Sequence, residues 1–429
     1  LKNLQIHFAG WGLAVWLALG GSAWGQPPSE PSPTPATSAA PAEEGPVNQT
    51  GPYPRGTFSG TTQGIFNTGQ DEGFGLGPVL PDPSAFDGSN RTETVLDGSR
   101  FNDNLNLTAH YGHYLTPRQR LMLTGQVGTT NFSGDLDYSF IPEGMDGYFS
   151  AYLNYTRSQH VSFRPSGIVS TAPQPWLGRA CAGFGYTTDP SQNFILSSAL
   201  IYENISLYNS ALGGRIPGRD RRGRSLTISP TGTDNTLAAR LLGSYLDVDD
   251  LQFPTQGDKL NFSFEQDIPV GASQVDMTRF NLNVSHFQRL GDPTLIFNLE
   301  AGFTRGRVAP YEAYNLGGFN SVRGYQLGEL GAGTRFIQLS SELRVPLGTA
   351  DILGTEVPFR FTTFIDYGSA LGSANEIFGQ SMVVRRVSDS GLGYGLGLQA
   401  VTNFGLLRLE TAFASGGRSQ ISFSIGDRY

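Results

Sequence analysis

Lys259-Leu-Asn-Phe-Ser-Phe-Glu-Gln-Asp-Ile268 and, shortly after it, Thr278-Arg-Phe-Asn-Leu-Asn-Val-Ser-His-Phe287 decide the fold. In the first stretch Leu260, Phe262 and Phe264 share one face while Asn261, Ser263 and Glu265 share the other. In the second, Phe280, Leu282 and Val284 oppose Asn281, Asn283 and Ser285. A period of two is the period of a β-strand, whose successive side chains point to opposite faces. The same alternation sets Leu295, Phe297, Leu299, Ala301 and Phe303 against Asn298 and Glu300. It also sets Ile337, Leu339, Leu343 and Val345 against Gln338, Ser340, Glu342 and Arg344, and Leu407, Leu409, Thr411 and Phe413 against Arg408 and Glu410. One apolar face and one charged face, strand after strand, describe a wall with lipid outside and water inside.

Working outward, strands are expected at 104–115, 120–128, 135–141, 147–157, 178–188, 193–205, 236–246 and 259–268. Further strands are expected at 278–287, 294–304, 337–345, 360–368, 393–401, 405–413 and 421–427. A first strand placed near 91–100 brings the total to about sixteen, the even count such barrels require. Connection lengths give an independent check. Those at 116–119, 142–146, 189–192, 288–293 and 402–404 are short and alternate with long ones at 158–177, 206–235, 305–336 and 369–392. The connections 247–258 and 346–359 are expected as over-long exceptions on the short side. Short periplasmic turns opposite long external loops are the asymmetry of an outer-membrane barrel, and a soluble sandwich has no reason to show it. The expected fold is all-β: a transmembrane antiparallel β-barrel over residues 101–429, set in the outer membrane of a Gram-negative-type envelope.

Composition agrees. The chain has 429 residues with 15% charged and 38% hydrophobic side chains, 56 glycines and 11% aromatics. No interior apolar run reaches the length of a membrane helix. The net charge of −8 argues against a nucleic-acid partner, which calls for a basic surplus. Cys181 is the single cysteine, which excludes an intramolecular disulfide, and it reads as a small apolar strand residue. The histidines at 7, 110, 113, 160 and 286 are scattered, with no Ser-His-acid or metal-ligand spacing. No enzyme activity, cofactor site or metal site is expected.

The amino-terminal stretch reads as an export signal over 1–25. Lys2 precedes an apolar run from Phe8 to Leu19, and Ala23-Trp24-Gly25 places small residues before a cleavage ahead of Gln26. Residues 26–100 are rich in proline and glycine, lack helical periodicity and read as a disordered linker.

One loop stands apart: Gly317-Gly318-Phe319-Asn320-Ser321-Val322-Arg323-Gly324-Tyr325, followed by Gly328. Its glycines open backbone conformations closed to other residues. Among them sits Arg323, whose guanidinium can grip a carboxylate with two parallel hydrogen bonds. Glu342 and Asp366 both fall on the polar faces of neighbouring strands, so both point into the lumen. If the 305–336 loop folds into the lumen, Arg323 reaches them and locks it. The plainer alternative is an exposed loop arginine, with the two acids solvating the lumen.

Four motifs in order resemble the bacterial surface antigen superfamily across residues 101–429. They are Phe253-Pro254-Thr-Gln-Gly257, Val322-Arg323-Gly324-Tyr325, Glu342-Leu-Arg-Val-Pro346 and Phe364-Ile-Asp366-Tyr-Gly368. That superfamily includes the central barrel of the β-barrel assembly machine, two-partner secretion transporters and the chloroplast import pore. The resemblance implies polypeptide insertion into, or translocation across, an outer membrane. It implies as partners outer-membrane lipids and unfolded or nascent outer-membrane or secreted polypeptides. It also implies a seam between the first and last strands. The family usually carries small βααββ polypeptide-transport-associated domains before the barrel, and 26–100 shows no pattern for one. A gated or passive pore for small solutes is the alternative.

Two further features leave their alternatives open. Arg215, Arg219, Arg221, Arg222 and Arg224 crowd one long loop, either as a lipopolysaccharide phosphate site or as a solvated loop partly offset by Asp220. The final strand ends on an aromatic, Tyr429, as barrel-sorting signals do, but Asp427 interrupts its alternation.

Overall fold

The computed structural model describes residues from Arg91 to Tyr429, except 101–103, 117, 129, 146, 164–174, 192, 221–222, 251–252, 272, 274, 327, 353, 372–376, 379–389, 403–404 and 426. The expected signal segment, and the expected linker up to residue 90, lie outside the described residues.

The wall begins with β1 (Arg91–Arg100), β2 (Asn104–Thr116), β3 (Gln119–Gly128), β4 (Asn131–Phe140), β5 (Gly147–Gln159) and β6 (Trp176–Ser191). It continues with β7 (Phe194–Tyr208), β8 (Thr233–Val248), β9 (Gly257–Asp267), β10 (Met277–Arg289) and β11 (Thr294–Gly306). The loop after β11 carries its own ribbon, β12 (Tyr314–Leu316) paired with β13 (Gly331–Gly333). The wall resumes with β14 (Arg335–Ile352), β15 (Thr355–Leu371), β16 (Ser390–Thr402), β17 (Gly405–Ala414) and β18 (Arg418–Ile425). Without β12 and β13 this is one 16-stranded antiparallel sheet in strict sequence order, with β11 laddered directly to β14. β18 returns to lie beside β1. Among the described residues no hydrogen-bonded ladder joins these two strands. No helix among the described residues is long and apolar enough to cross a membrane, and the barrel crosses with strands.

Burial is inverted relative to a soluble protein. Leu339, Ile365 and Leu409 are about half exposed, at 45%, 49% and 51%, whereas Gln338, Glu342, Asp366 and Glu410 are fully buried. The alternation legible in the sequence therefore points its apolar side out to lipid and its polar side into the lumen. The first strand expected near 91–100 coincides with β1.

One expected connection is corrected. Residues 346–359, expected as a long turn, are the tall hairpin of β14 and β15, which pair out to Ile352 and Thr355. Pro346 and the glycines at 348 and 354 read as loop in the sequence. In the fold, the register shifts at a bulge between Pro346 and Gly348, where a residue without an N–H is tolerated, and the ladder then resumes. The turn closes on Asp351, whose Oδ1 accepts the Gly354 N–H at 2.8 Å. The connection 247–258 does contain an extended turn, between Val248 and Gly257, fastened by Asp249. That carboxylate accepts the backbone N–H groups of Thr255 at 2.8 Å and Gln256 at 3.0 Å, and the Arg289 guanidinium at 2.8 Å.

The long loops pack on one another at the opposite end. Phe163, Leu207, Leu226, Ile228 and Tyr311, from three different loops and the strand ends beside them, form one buried apolar cluster with Leu177. In the arginine-rich loop, Asp220 accepts the Arg224 Nε–H at 2.5 Å and its backbone N–H at 2.9 Å. Arg219 donates to the Gly223 carbonyl at 3.0 Å, and Arg221 and Arg222 lie outside the described residues.

Candidate lumenal site

The loop between β11 and β14 folds into the lumen and has two arms, each seated on a different stretch of wall. The second arm carries the arginine singled out in the sequence. Gly317 and Gly318 adopt φ of 105° and 102°, and Gly324 adopts 94°, a region that favours glycine. The turn so formed is closed by the Gly318 N–H donating to the Tyr325 carbonyl at 3.0 Å. Ser321 Oγ accepts the Gly317 N–H at 3.2 Å and donates to Gln338 Oε1 at 2.6 Å, fixing the turn to β14.

Arg323, only 1% exposed, projects from this turn among carboxylates of three strands. Its Nε donates to Asp366 Oδ2 at 2.7 Å and its Nη2 to Asp366 Oδ1 at 2.9 Å, a forked contact with β15. Its Nη1 donates to Glu342 Oε2 on β14 at 2.8 Å and to Glu410 Oε1 on β17 at 3.2 Å. The guanidinium carbon stands 3.3 Å from the centre of the Phe364 ring, so the cation is stacked as well as paired. The expected partners Glu342 and Asp366 are thus both within hydrogen-bond distance, and Glu410 is a third that motif reasoning did not single out.

The other loop-motif residues serve as packing around this contact. Val322 is fully buried and sits over Gly368, whose missing side chain leaves room for it. Tyr325 donates to or accepts from Ser415 Oγ at 2.5 Å. A Cβ on Gly391 would meet the Tyr325 hydroxyl, and one on Gly393 would meet the Arg323 carbonyl oxygen. The sequence carries a signal for this floor that motif matching passed over: Gly391, Gly393, Gly395 and Gly397 recur with the strand period, so all four lie on the lumenal face of β16. By contrast Phe253, Pro254 and Gly257 lie in the turn held by Asp249, away from Arg323, with Arg360 stacked over the Phe253 ring at 5.3 Å.

The segment after β18 also enters the lumen. Arg428 Nη1 lies 3.3 Å from Asp366 Oδ1, and its Nη2 donates to the Ser321 carbonyl at 2.6 Å. Asp427 accepts from Arg344 at 2.7 and 2.9 Å, and Arg344 Nε donates to Glu342 at 2.9 Å. The Tyr429 hydroxyl shares a hydrogen bond of 2.7 Å with Ser340 Oγ. Charges of alternating sign therefore run Arg428, Asp366, Arg323, Glu342, Arg344, Asp427, beginning and ending in this segment. The break that Asp427 makes in the strand alternation marks where the chain leaves the wall and turns inward.

The residues that match a family model are those that build this wall and loop: residues 99–429 match the Omp85 superfamily domain. The chain belongs to the Omp85 superfamily. Among its Omp85 relatives, outer envelope protein 80, chloroplastic, of Arabidopsis thaliana is 30% identical over 253 residues, covering 59% of this chain and 32% of that protein. Protein TOC75, chloroplastic, of Pisum sativum is 28% identical over 341 residues, covering 72% of this chain and 40% of that protein. The chain thus spans well under half the length of these two relatives. The crystal structure of BamA from Haemophilus ducreyi lacking POTRA domains 1–3 superposes with a TM-score of 0.61 at 17% identity, covering 79% of this chain and 70% of that one. At that identity the likeness shows the fold alone, an Omp85-type outer-membrane barrel.

The first arm of the loop makes a second ionic site that sequence reasoning missed. Glu312 sits in a single 3-10 turn, Pro310–Glu312, and is buried between two arginines. Its Oε1 accepts from Arg179 of β6 at 2.7 Å and its Oε2 from Arg279 of β10 at 2.6 Å. Burial pushes the Glu312 carboxyl up, but the two guanidiniums outweigh it and hold the group down at about 2. Arg179 also donates to Glu203 of β7 at 3.2 Å, Glu203 accepts from Arg240 of β8 at 2.9 Å, and Arg240 pairs with Glu265 of β9.

Proposed function

We propose that this barrel handles polypeptides, inserting them into the outer membrane or passing them across it, with its lumenal loop pinned by Arg323 during the work. Omp85-family proteins mediate protein insertion or translocation, and the family membership of this chain supports the reading. The observation that carries it is the seam of the wall: fifteen successive ladders run from β1 to β18, and the first and last strands lie side by side, where the sheet can part. Strand edges without a ladder partner present unsatisfied N–H and C=O groups, which an incoming extended segment can pair with in turn. The loop tip supports the same reading by position, since its carboxylate partners lie on β14, β15 and β17, the strands that lead to this edge. In this account the Arg323 contacts keep that part of the wall in register while the edge exchanges partners.

A pore for small solutes is less well supported. Tyr311, Tyr314, Leu316, Phe319 and Leu330 of the loop are all buried at 2% exposure or less, so the loop is packed into the lumen rather than lying slack in it. Reconstitution in liposomes separates the readings. Acceleration of the membrane insertion of an unfolded outer-membrane barrel polypeptide, with little conductance, is the expected result. Steady conductance with no effect on insertion would favour the pore.

A further inference from the structure

The loop is fastened twice, and the two fastenings have opposite polarity. At the tip a loop cation, Arg323, is held by wall anions on β14, β15 and β17. On the first arm a loop anion, Glu312, is held by wall cations on β6 and β10. We propose that Glu312 is an independent anchor, and that the loop is a tie across the lumen joining the β6–β10 wall to the β14–β18 wall. The inference rests on the reading in which Arg323 pins the loop, and adds a second pin that neither the motif nor the family assignment contains.

Further contacts along the first arm point the same way. Tyr311 donates to Asp234 Oδ2 at 2.5 Å, and Asp234, fully buried, also accepts the backbone N–H groups of Ile228 and Ser229 at 2.8 and 2.7 Å. Tyr314 donates to Asn281 Oδ1 of β10 at 2.6 Å, and Asn315 Nδ2 donates to Ser162 Oγ at 3.1 Å. Arg279 reaches the Glu312 carbonyl as well as its carboxylate, at 3.0 and 2.6 Å, so it holds both backbone and side chain of the turn. The ion pairs of Glu312 and those of Arg323 share no residue, although Tyr314 and Leu316 of the first arm lie in one apolar cluster with Val322 and Tyr325 of the tip. Sites with no shared partners act additively, and sites that share partners do not.

A tie has a consequence that a tip lock alone lacks. If the β1–β18 edge parts, the two walls are still joined through the lumen, and the opening is limited to what the tie allows. The Glu312 side chain is the charge that transmits that limit to the β6–β10 wall.

Hydrogen–deuterium exchange on the full chain in detergent micelles tests the two anchors through separate peptides, 308–316 and 317–326. In E312Q, which keeps shape and removes charge, exchange at 308–316 is expected to rise at least tenfold while 317–326 stays as in wild type. R323A is expected to do the reverse. R179K serves as a second variant should E312Q fold poorly. A lysine there keeps the charge but cannot reach Glu312 and Glu203 together, so 308–316 alone is again expected to open. Spin labels on the lipid-facing positions Leu200 of β7 and Ile421 of β18 then read the tie, with a broader distance distribution in E312Q/R323A than in either single variant. The proposal is overturned if 308–316 stays protected in E312Q, if E312Q opens both peptides together, or if the double variant leaves the distance distribution unchanged. Protection of 317–326 in R323A would instead overturn the Arg323 pin, leaving the 308–316 result to judge Glu312 by itself.

Discussion

Asp366 holds Arg323 at three points. Its Oδ2 accepts the Arg323 Nε–H at 2.7 Å and the Arg323 backbone N–H at 3.1 Å, and its Oδ1 accepts Nη2–H at 2.9 Å. The carboxylate therefore fixes the loop main chain as well as the side chain, so the contact depends on where the loop runs and not only on its charge. A buried pair of this kind adds little net stability when complete, because desolvation offsets much of the attraction, but removing one partner leaves an uncompensated buried charge.

Arg323→Ala leaves Glu342, Asp366 and Glu410 without their shared cation. The expected cost is about 3 to 5 kcal/mol, read as a loss of heat-modifiable gel mobility at lower temperature or denaturant. Arg323→Lys is expected to recover little of it, since a point charge cannot make the fork to Asp366 while also reaching Glu342. Equal stability of the lysine variant and wild type would show that charge alone, without geometry, holds the tip.

Arg428→Ala is expected to be milder. Asp366 keeps its three bonds from Arg323, and the main loss is the Arg428 bond to the Ser321 carbonyl at 2.6 Å. An unsatisfied buried acceptor costs about 1 to 3 kcal/mol. The same gel assay should place this variant between wild type and Arg323→Ala, and a loss equal to that of Arg323→Ala would make Arg428 a full member of the pin.

Gly393→Ala tests the floor under the tip. The added methyl meets the Arg323 carbonyl oxygen, a backbone atom that cannot turn away as a side chain end can. The loop must lift, with an expected cost of about 1 to 3 kcal/mol. Gly134→Ala on β4 is the control, because a methyl there meets nothing within 4 Å. Proteolysis of the loop in each variant reads the difference.

The turn between β8 and β9 carries a pH signature. Slight desolvation pushes the Asp249 carboxyl up, but hydrogen bonds from Thr255 and Gln256 together with the charge of Arg289 outweigh it and bring it down to about 2. A carboxylate depressed in the fold stabilises fully above the free aspartate value of about 3.9. That contribution fades as pH falls through about 2. The protection factor at 253–257, with exchange taken relative to the intrinsic amide rate at each pH, is therefore expected to stay high from neutral pH down to about 4 and to fall below it, and Asp249→Asn should remove that pH dependence. A flat profile in the wild type would show that the turn does not rely on this carboxylate.

The strands were legible because lipid and water sort side chains at a period of two, and that sorting acts on every residue of the wall. Arg323, Glu342 and Asp366 were legible because a glycine-flanked arginine and two strand-face acids advertise themselves locally. Glu312 did not, since it sits in an aperiodic Ala-Pro-Tyr-Glu stretch and its partner Arg179 lies 133 positions away. The hairpin at 346–359 was hidden by a proline and two glycines that mark a bulge and a tight turn as readily as a long one. The inward turn after β18 showed in the sequence only as Asp427, a charge out of phase with its strand.

The measurement closest to the central claim is insertion of an unfolded outer-membrane barrel polypeptide into liposomes by the reconstituted chain, with β1 and β18 joined by an engineered cysteine pair. The account predicts that the oxidised barrel stays folded but loses its acceleration of insertion, and that a reductant restores it. Unchanged insertion through the oxidised, fully cross-linked barrel would contradict it.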